Sequence, residues 1–456
     1  MGSRQVVVVI GGAVAGSEAA AMAAERGALV LVVEQNARPY GKIEDGLPRW
    51  HVALRQKEYE RIDRNLSHPD ILFVPHTRLG EELTLAELVQ GYGVSPVVLA
   101  NGAWRDRPLE VPGLARFAGA GLIYQNALVR WFNHYPDRDW TGPHFALPDG
   151  AAVIGGGLAS IDVVKILNLE VYGRALAARG IAVDVVTLEH VGIAKTLEQH
   201  GLTPESLGVR GCTLFYRRSA EDMPLASDPD PTPERLARLR KTRAKILDKV
   251  LRKYLVNFVA EALPHGVVVE DERLAGLVFR RTRVEAGRVV EVPGSEFEFR
   301  TELVVSSIGS LPEPLPGVPM RGDVYAFRDA ATGALEGVEG LYGLGNVLTG
   351  RGNIKESRTS ARDVVRQLAE LRHADALELA SASERAHEAV RQEADAVLTG
   401  ALAGPGLSAE RVEALRARVQ RRWEEVGYRG DYRAWIEARR PWDWTDAVEA
   451  DASEEG

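Results

Sequence analysis

Two glycine-rich turns carry most of the chemistry that this chain can support. The first is Gly11-Gly-Ala-Val-Ala-Gly16 and the second is Gly155-Gly-Gly-Leu-Ala-Ser160. Each follows an apolar run, Gln5–Ile10 in one case and Ala151–Ile154 in the other, and each opens a helix-like pattern. A strand, a tight turn and a helix N-terminus in that order bind a pyrophosphate, because the free N–H groups of the first helical turn face the phosphates. At the second turn, Gly155 permits the bend, Gly157 leaves the backbone open to phosphate, and Ser160 is small enough for the helix to lie against the strand. At the first turn Ala13 stands where the middle glycine is expected, so its methyl is expected to tighten the phosphate contact. Glu34 ends the run Ala28–Val33, about 20 residues after the glycines, where an acid binds a ribose diol.

Two dinucleotide sites in one chain imply a tightly held FAD and an exchangeable nicotinamide nucleotide, with the protein aligning them and the flavin carrying the chemistry. Arg217 and Arg218 end the strand-like run after the second glycine turn, a position that meets the adenosine ribose. An acid there suits the 2′-hydroxyl of NADH, whereas cationic groups suit a 2′-phosphate. NADPH is therefore expected in preference to NADH.

Composition narrows the choice. The 456 residues suffice for two or three domains, and a net charge of −8 gives no general expectation of nucleic-acid binding. The only cysteine is Cys212, in an apolar run that reads as core. One thiol makes neither a redox disulfide nor an iron–sulfur ligand set within the chain. Electrons reaching a flavin must therefore leave for another molecule. No apolar run reaches the ~20 residues of a membrane span, and Met1-Gly-Ser-Arg leads straight into a strand, so no leader is expected and the cytoplasm is the expected compartment. No metal site is expected.

The expected fold class is α/β, with two Rossmann-like domains, the NAD(P) domain inserted in the FAD domain, and a C-terminal helical extension. The expected division is 1–105 with 309–373 for FAD, 106–308 for NAD(P), and 374–456 as a helical appendage with an acidic disordered end. Helices are expected over about 54–66, 85–92, 121–140 and 355–373. Another, opened by Thr232 as N-cap and Pro233 at N1, would carry the basic stripe Arg238, Lys241, Lys245, Lys249 and Arg252. Gly266–Val292 alternates as antiparallel strands do, Asp228–Pro231 reads as a turn, and 180–208 supports no assignment. The tryptophans Trp423, Trp435, Trp442 and Trp444 read as packing anchors.

In order and spacing, the chain resembles the two-dinucleotide flavoproteins, especially adrenodoxin reductase-type ferredoxin–NADP reductases and the small subunit of glutamate synthase. The resemblance covers about 1–373. It rests on the first glycine turn with Glu34, Tyr40-Gly41 through Pro48-Arg-Trp-His51, Asn101-Gly-Ala103, Gly155 to Asp162, Tyr216-Arg-Arg218, and Gly340-Leu-Tyr-Gly-Leu-Gly-Asn346. It implies flavin-side contacts at Gly11, Gly12, Ala13, Ala15, Gly16 and Glu34, at Gly41 and Lys42, and at Ala100, Asn101 and Gly102. Gly345, Asn346, Gly352, Asn353 and Ile354 would lie over the flavin. On the nicotinamide side it implies Gly155, Gly157, Leu158, Ala159 and Ser160, with Arg217 and Arg218. His51 and Asp162 match polar positions near the two rings, and a histidine at neutral pH can pass the proton that a reduced flavin gains or loses.

Together these readings imply a reductase that takes hydride from NADPH to FAD and passes electrons to a small carrier, a ferredoxin or flavodoxin. The basic stripe over 235–253 would steer that acidic partner, and the C-terminal helices offer a surface for oligomerisation. A flavin oxidase or monooxygenase, or a flavin-bearing subunit of a larger complex, remains the alternative.

Overall fold

Val6–Ile10 is five consecutive aliphatic residues, all buried, and such a run is stable only as a strand covered on both faces. It lies near the middle of a seven-stranded sheet. In spatial order the strands are Phe327–Asp329, Ala334–Leu335, Leu341–Gly343, Val97–Leu99, Val6–Ile10, Leu29–Val33 and Ile71–Val74. The last five run parallel, with Val8 opposite both Val97 and Leu31 and with Val30 opposite Ile71. The first two are an antiparallel edge. The chain is described here by a computed structural model covering residues 3–137, 140–226, 232–329, 331–348 and 376–440. It divides into two units, one of Met1–Leu47, His51–Arg105 and Leu311–Gly456, the other of Pro48–Trp50 and Asp106–Ser310.

The first unit contains the seven-stranded sheet. The helices Val14–Glu25 and Val52–Leu66 cover one face, and the C-terminal segment adds to that face. The sequence sets 374–456 apart as an appendage; in the structure its described part, 376–440, is integral to this unit. Val390, Ala394, Val397 and Leu398 of the helix Ala376–Ala401 are buried in one cluster with Val7, Val9 and Val30 of the sheet. Arg4 and Leu407 exchange backbone hydrogen bonds of 2.9 and 2.8 Å. Trp423 and Trp435 are anchors as expected: each indole N–H donates over 2.8 Å, to Phe73 O and Ala37 O respectively.

Beneath that C-terminal helix lies a buried ion cluster. His387, 1% exposed, meets Glu18 Oε1 at 3.0 Å through Nδ1 and Glu58 Oε2 at 2.7 Å through Nε2. Arg61 Nε donates to Glu18 Oε1 at 2.7 Å. Burial pushes the Glu18 carboxyl up, but the His387 hydrogen bond and the Arg61 charge outweigh it and hold Glu18 down at about 2. Burial likewise pushes His387 down, and its bonds to the two carboxylates more than reverse this, so His387 is raised.

The second unit holds a five-stranded parallel sheet in the order Leu122–Tyr124, Val304–Ser307, Ala152–Gly155, Thr213–Phe215, Asn257–Val259. An antiparallel sheet of Ala262–Glu270, Arg273–Glu285, Arg288–Glu291 and Phe297–Arg300 adjoins it, as the alternation over 266–292 predicts. Thr232 caps the helix Pro233–Tyr254 through its side chain, also as expected, and the five basic residues of the stripe are all exposed.

Two expectations change, and one segment without an assignment gains one. The helix expected over 121–140 begins as the strand Leu122–Tyr124, because these residues pair with Val304–Ser306; the helix proper is Gln125–His134. The helix expected over 85–92 is one wide turn, Glu87–Gly91, in which Tyr92 N–H reaches back to Glu87 O. Residues 180–208 form three short helices, Val185–Val191, Ile193–Gln199 and Pro204–Leu207, the first capped by Asp184 and the third by a Thr203–Ser206 capping box. The expected helix over 355–373, the turn at Asp228–Pro231, Trp442, Trp444 and the acidic end lie outside the described residues. Among the described residues, no helix is long and apolar enough to cross a membrane.

Candidate dinucleotide sites

At the carboxyl end of Val6–Ile10 the backbone must turn at once into a helix. Gly11 does so at φ +95°, and a Cβ there would stand 2.7 Å from Ala100 O. A Cβ on Gly16 would run into Gly11 O, so only glycine lets the helix Val14–Glu25 pass this close to the strand. Ala13 is the N-cap and has no side chain that could bond the first-turn N–H groups. This leaves them for an anion. The Ala13 methyl fits because its neighbour is Gly41: a Cβ on Gly41 would lie 2.9 Å from it.

The cleft in front of this turn encloses about 980 Å³ of space outside the protein atoms, open solvent at its mouth included. Its walls include Gly11, Ala13, Ala15, Glu34, Gly41, Lys42, Ala100, Asn101, Gly102 and Asn346, which collects most of the flavin-side residues read from sequence. Gly12 and Gly16 support the turn from behind, and Gly345, at φ +70°, leads into Asn346. Gly352, Asn353 and Ile354 lie outside the described residues. Lys42 Nζ sits 5.3 Å from the Trp104 ring centroid. Asn101 donates through Nδ2 to Tyr325 OH at 3.1 Å, while its Oδ1 is buried with no partner among the described residues.

Glu34 is 5% exposed, and its oxygens accept from Gly12 N at 3.0 Å and Asn36 N at 2.9 Å. Burial raises its carboxyl to about 7, against the pull of those two N–H groups. Near neutrality it can therefore offer a ribose diol either a donor or an acceptor. Tyr40, quoted with Gly41 from the sequence, lines the same wall, whereas Thr77, Arg78, Leu79, Trp104 and Glu313 on it were missed from the sequence. Thr77-Arg78-Leu79 follows the strand Ile71–Val74, and the carboxyl end of a parallel strand was the available signal. Glu313 lies among Pro312, Pro314 and Pro316, between the strands Val304–Ser307 and Phe327–Asp329, and carries no comparable signal. His51 is half-buried at the N-cap of Val52–Leu66 and is not among the cleft walls.

The second unit repeats the arrangement. Ala152–Gly155 is wholly buried, and Gly157 caps Leu158–Ala177 without a side-chain bond to the helix N–H groups. A Cβ on Gly155 would collide with Ser160 Oγ and Ser307 O, whereas one on Gly157 would meet nothing within 4 Å. Gly155 thus serves packing and Gly157 leaves an approach open. Ser160, fully buried, donates to Ser307 O at 3.2 Å. Leu158 is buried and Ala159 half-buried on the first helical turn, and Asp162 is buried a little further along. Gly156, unremarked in sequence, must be glycine because the Tyr216 ring packs on it. Arg217 is exposed and Arg218 half-buried just beyond the strand Thr213–Phe215. Lys165, also unremarked, is 2% exposed, pairs with Glu189, and lies 4.5 Å from the Trp50 ring centroid.

Two parallel sheets, each ending in a glycine turn and an uncapped helix, define the two-dinucleotide-binding fold. The family model for the alanine dehydrogenase/PNT C-terminal domain matches residues 3–75. NADPH:adrenodoxin oxidoreductase of Arabidopsis thaliana is 27% identical over 348 residues, 69% of each chain. The glutamate synthase [NADPH] small chain of Mycobacterium tuberculosis is 24% identical over 384 residues, covering 80% of this chain and 67% of the other. The structure of Mycobacterium tuberculosis FprA in complex with NADPH superposes with a TM-score of 0.62 at 19% identity, covering 92% of this chain and 90% of that one. The fold is that of the two-dinucleotide-binding oxidoreductases, and in sequence the chain resembles NADPH:adrenodoxin oxidoreductase.

Proposed function

We propose that the first unit holds FAD, that the second holds NADPH, and that the chain is a cytoplasmic reductase serving a small acidic carrier such as a ferredoxin or flavodoxin. The observation that carries the reading is the repeated pair of uncapped helix N-termini behind glycine turns at Gly11–Gly16 and Gly155–Ser160. When bound, the nicotinamide and flavin supply the hydride transfer and the one-electron steps.

The residues present fit those groups. The first-turn N–H groups of Val14–Glu25 take the FAD pyrophosphate, Glu34 takes the adenosine ribose, and Asn101 Oδ1 and Asn346 offer polar contacts deeper in the cleft. The corresponding N–H groups of Leu158–Ala177 take the NADPH pyrophosphate across the open face of Gly157. Arg217 and Arg218 neutralise the 2′-phosphate. His51 holds or releases the proton that accompanies flavin reduction, and Asp162 orients the nicotinamide end. Residues 1–105 and 309–373 are thus the FAD-binding part and 106–308 the NADPH-binding part, with the C-terminal helices completing the former. The exposed stripe Arg238, Lys241, Lys245, Lys249 and Arg252 draws in an acidic carrier and sets its orientation.

The test is the absorption spectrum of the purified protein, followed by anaerobic stopped-flow mixing with NADPH or NADH. A flavin spectrum that bleaches faster with NADPH is expected. A colourless protein that takes up no added FAD, or a flavin bleached by neither nucleotide, refutes the reading.

A further inference from the structure

Beyond the strand Thr213–Phe215, residues 216–218 leave the sheet, yet their backbone is held at every step. Tyr216 N donates to Val259 O at 3.0 Å and Ala262 N donates to Tyr216 O at 3.1 Å. Glu261 N donates to Arg218 O at 3.2 Å. Arg217 O accepts from Thr282 Oγ1 at 3.0 Å, the one side-chain bond in the set. Thr282 is 3% exposed and donates its own N–H to Glu261 O at 2.8 Å.

The clamp maintains unfavourable backbone. Glu261 lies at φ +53°, and at the tip of the hairpin formed by Arg273–Glu285 and Arg288–Glu291, Ala286 lies at φ +47° beside Gly287 at φ +78°. Non-glycine residues hold such angles at a cost, and do so where their surroundings over-determine them. Here both strained places touch the arginine pair. Glu261 sits between Arg218 O and Thr282 N, and Gly287 O accepts from Arg218 Nη2 at 3.2 Å.

We infer that the hairpin Arg273–Glu291 is a brace for adenosine 2′-phosphate selectivity, with Thr282 the positioning residue that fixes Arg217. The inference rests on the assignment of Arg217 and Arg218 to the 2′-phosphate. Arg218 enters with one guanidinium arm already tied to Gly287 O, leaving its remaining N–H groups for the anion. Arg217 is an exposed side chain on a backbone that cannot drift. A guanidinium aimed in advance loses less freedom on binding, so affinity for the phosphate rises without any new contact.

The test uses the full chain and two probes, adenosine 2′,5′-bisphosphate and AMP, titrated calorimetrically. Thr282→Val keeps the shape of the side chain and removes the donor. Its affinity for the bisphosphate should fall about fivefold relative to AMP, which is ~1 kcal/mol at 1.4 kcal/mol per tenfold and the size of one neutral hydrogen bond. Thr282→Ser should restore the ratio. If Thr282→Val does not fold, Thr282→Ala carries the same comparison. A control with Arg217→Ala and Arg218→Ala together should abolish the preference for the bisphosphate. If that control loses the preference while Thr282→Val (or Thr282→Ala in its place) keeps the wild-type ratio, the brace is refuted and the arginine assignment stands. If the control keeps the preference, the arginine assignment fails and the brace with it.

Discussion

Replacing His387 by alanine tests how the C-terminal helix is held to the dinucleotide-binding helix. In the folded chain His387 bonds two carboxylates at once, Glu18 at 3.0 Å and Glu58 at 2.7 Å, and all three side chains are at most 1% exposed. Removing one member of a buried ionic set leaves charge without its counterpart, at a cost of about 3–5 kcal/mol. Glu18 retains Arg61 and Arg391, so the lower part of that range is expected. The effect should depend on pH, and its sign follows from the raised value of His387. The folded state binds the proton more tightly than the unfolded chain, whose histidine titrates near 6.5. The contribution is therefore fully present below about pH 6.5 and is lost as pH rises through the folded-state value. Glu18 acts oppositely: held at about 2 against an ordinary 4.5, its contribution is present above 4.5 and disappears as pH falls towards 2. Urea unfolding followed by hydrogen exchange of the backbone amides in Val14–Glu25 and Val52–Leu66 reports on this unit, and urea leaves the charges unscreened. The gap between wild type and His387→Ala should be widest near pH 6 and narrow as the pH rises above 6.5. A gap below ~0.5 kcal/mol at pH 6, which is ordinary surface behaviour, or one that widens at alkaline pH, would refute the reasoning.

The two outer glycines of the second turn should separate folding from binding. Gly155→Ala drives a methyl into Ser160 Oγ and Ser307 O and should cost about 1–3 kcal/mol in thermal or urea unfolding, as overpacking does. Gly157→Ala meets no atom within 4 Å and should cost less than ~1 kcal/mol, while NADPH titration shows weakening of roughly tenfold or more because the methyl occupies the phosphate approach. Reversing Lys241 and Lys245 to glutamate should slow reduction of an acidic carrier at low salt, with the difference vanishing near 0.5 M salt as screening shortens to a few ångströms. Reduction of ferricyanide by the same variant should stay at the wild-type rate.

The glycine turns were legible because their constraint is local. Gly11, Gly16 and Gly155 answer to atoms a few residues away or on the adjoining strand, and the alternation of apolar run, glycines and helix encodes that directly. The cleft wall at Thr77–Leu79 required knowing which strand lies beside Leu29–Val33, which the run Ile71–Val74 does not state. The C-terminal helices were the hardest part. Their amphipathic periods show that one face is buried but not against what, and His387 reads as a lone histidine in a charged helix until the fold brings it to Glu18, 369 positions earlier. The helix expected over 121–140 misled because Leu122-Ile-Tyr124 fits a helical period as well as a strand, and pairing with Val304–Ser306 decides it.

The interrupted make-up of the first unit bears on how the polypeptide matures on the ribosome. Its opening strands emerge first, but Leu341–Gly343, which pairs with Val97–Leu99, and the helix Ala376–Ala401, which completes the cover over Val7 and Val9, emerge only near the end. At ~5–20 residues per second, the roughly 240 residues between Leu99 and Leu341 keep an aliphatic half-sheet waiting for about 10–50 seconds, while the second unit can finish as soon as Ser310 is out. The strands Val6–Ile10, Leu29–Val33 and Val97–Leu99 thus wait for their last neighbour and last cover longer than any strand of the second unit does.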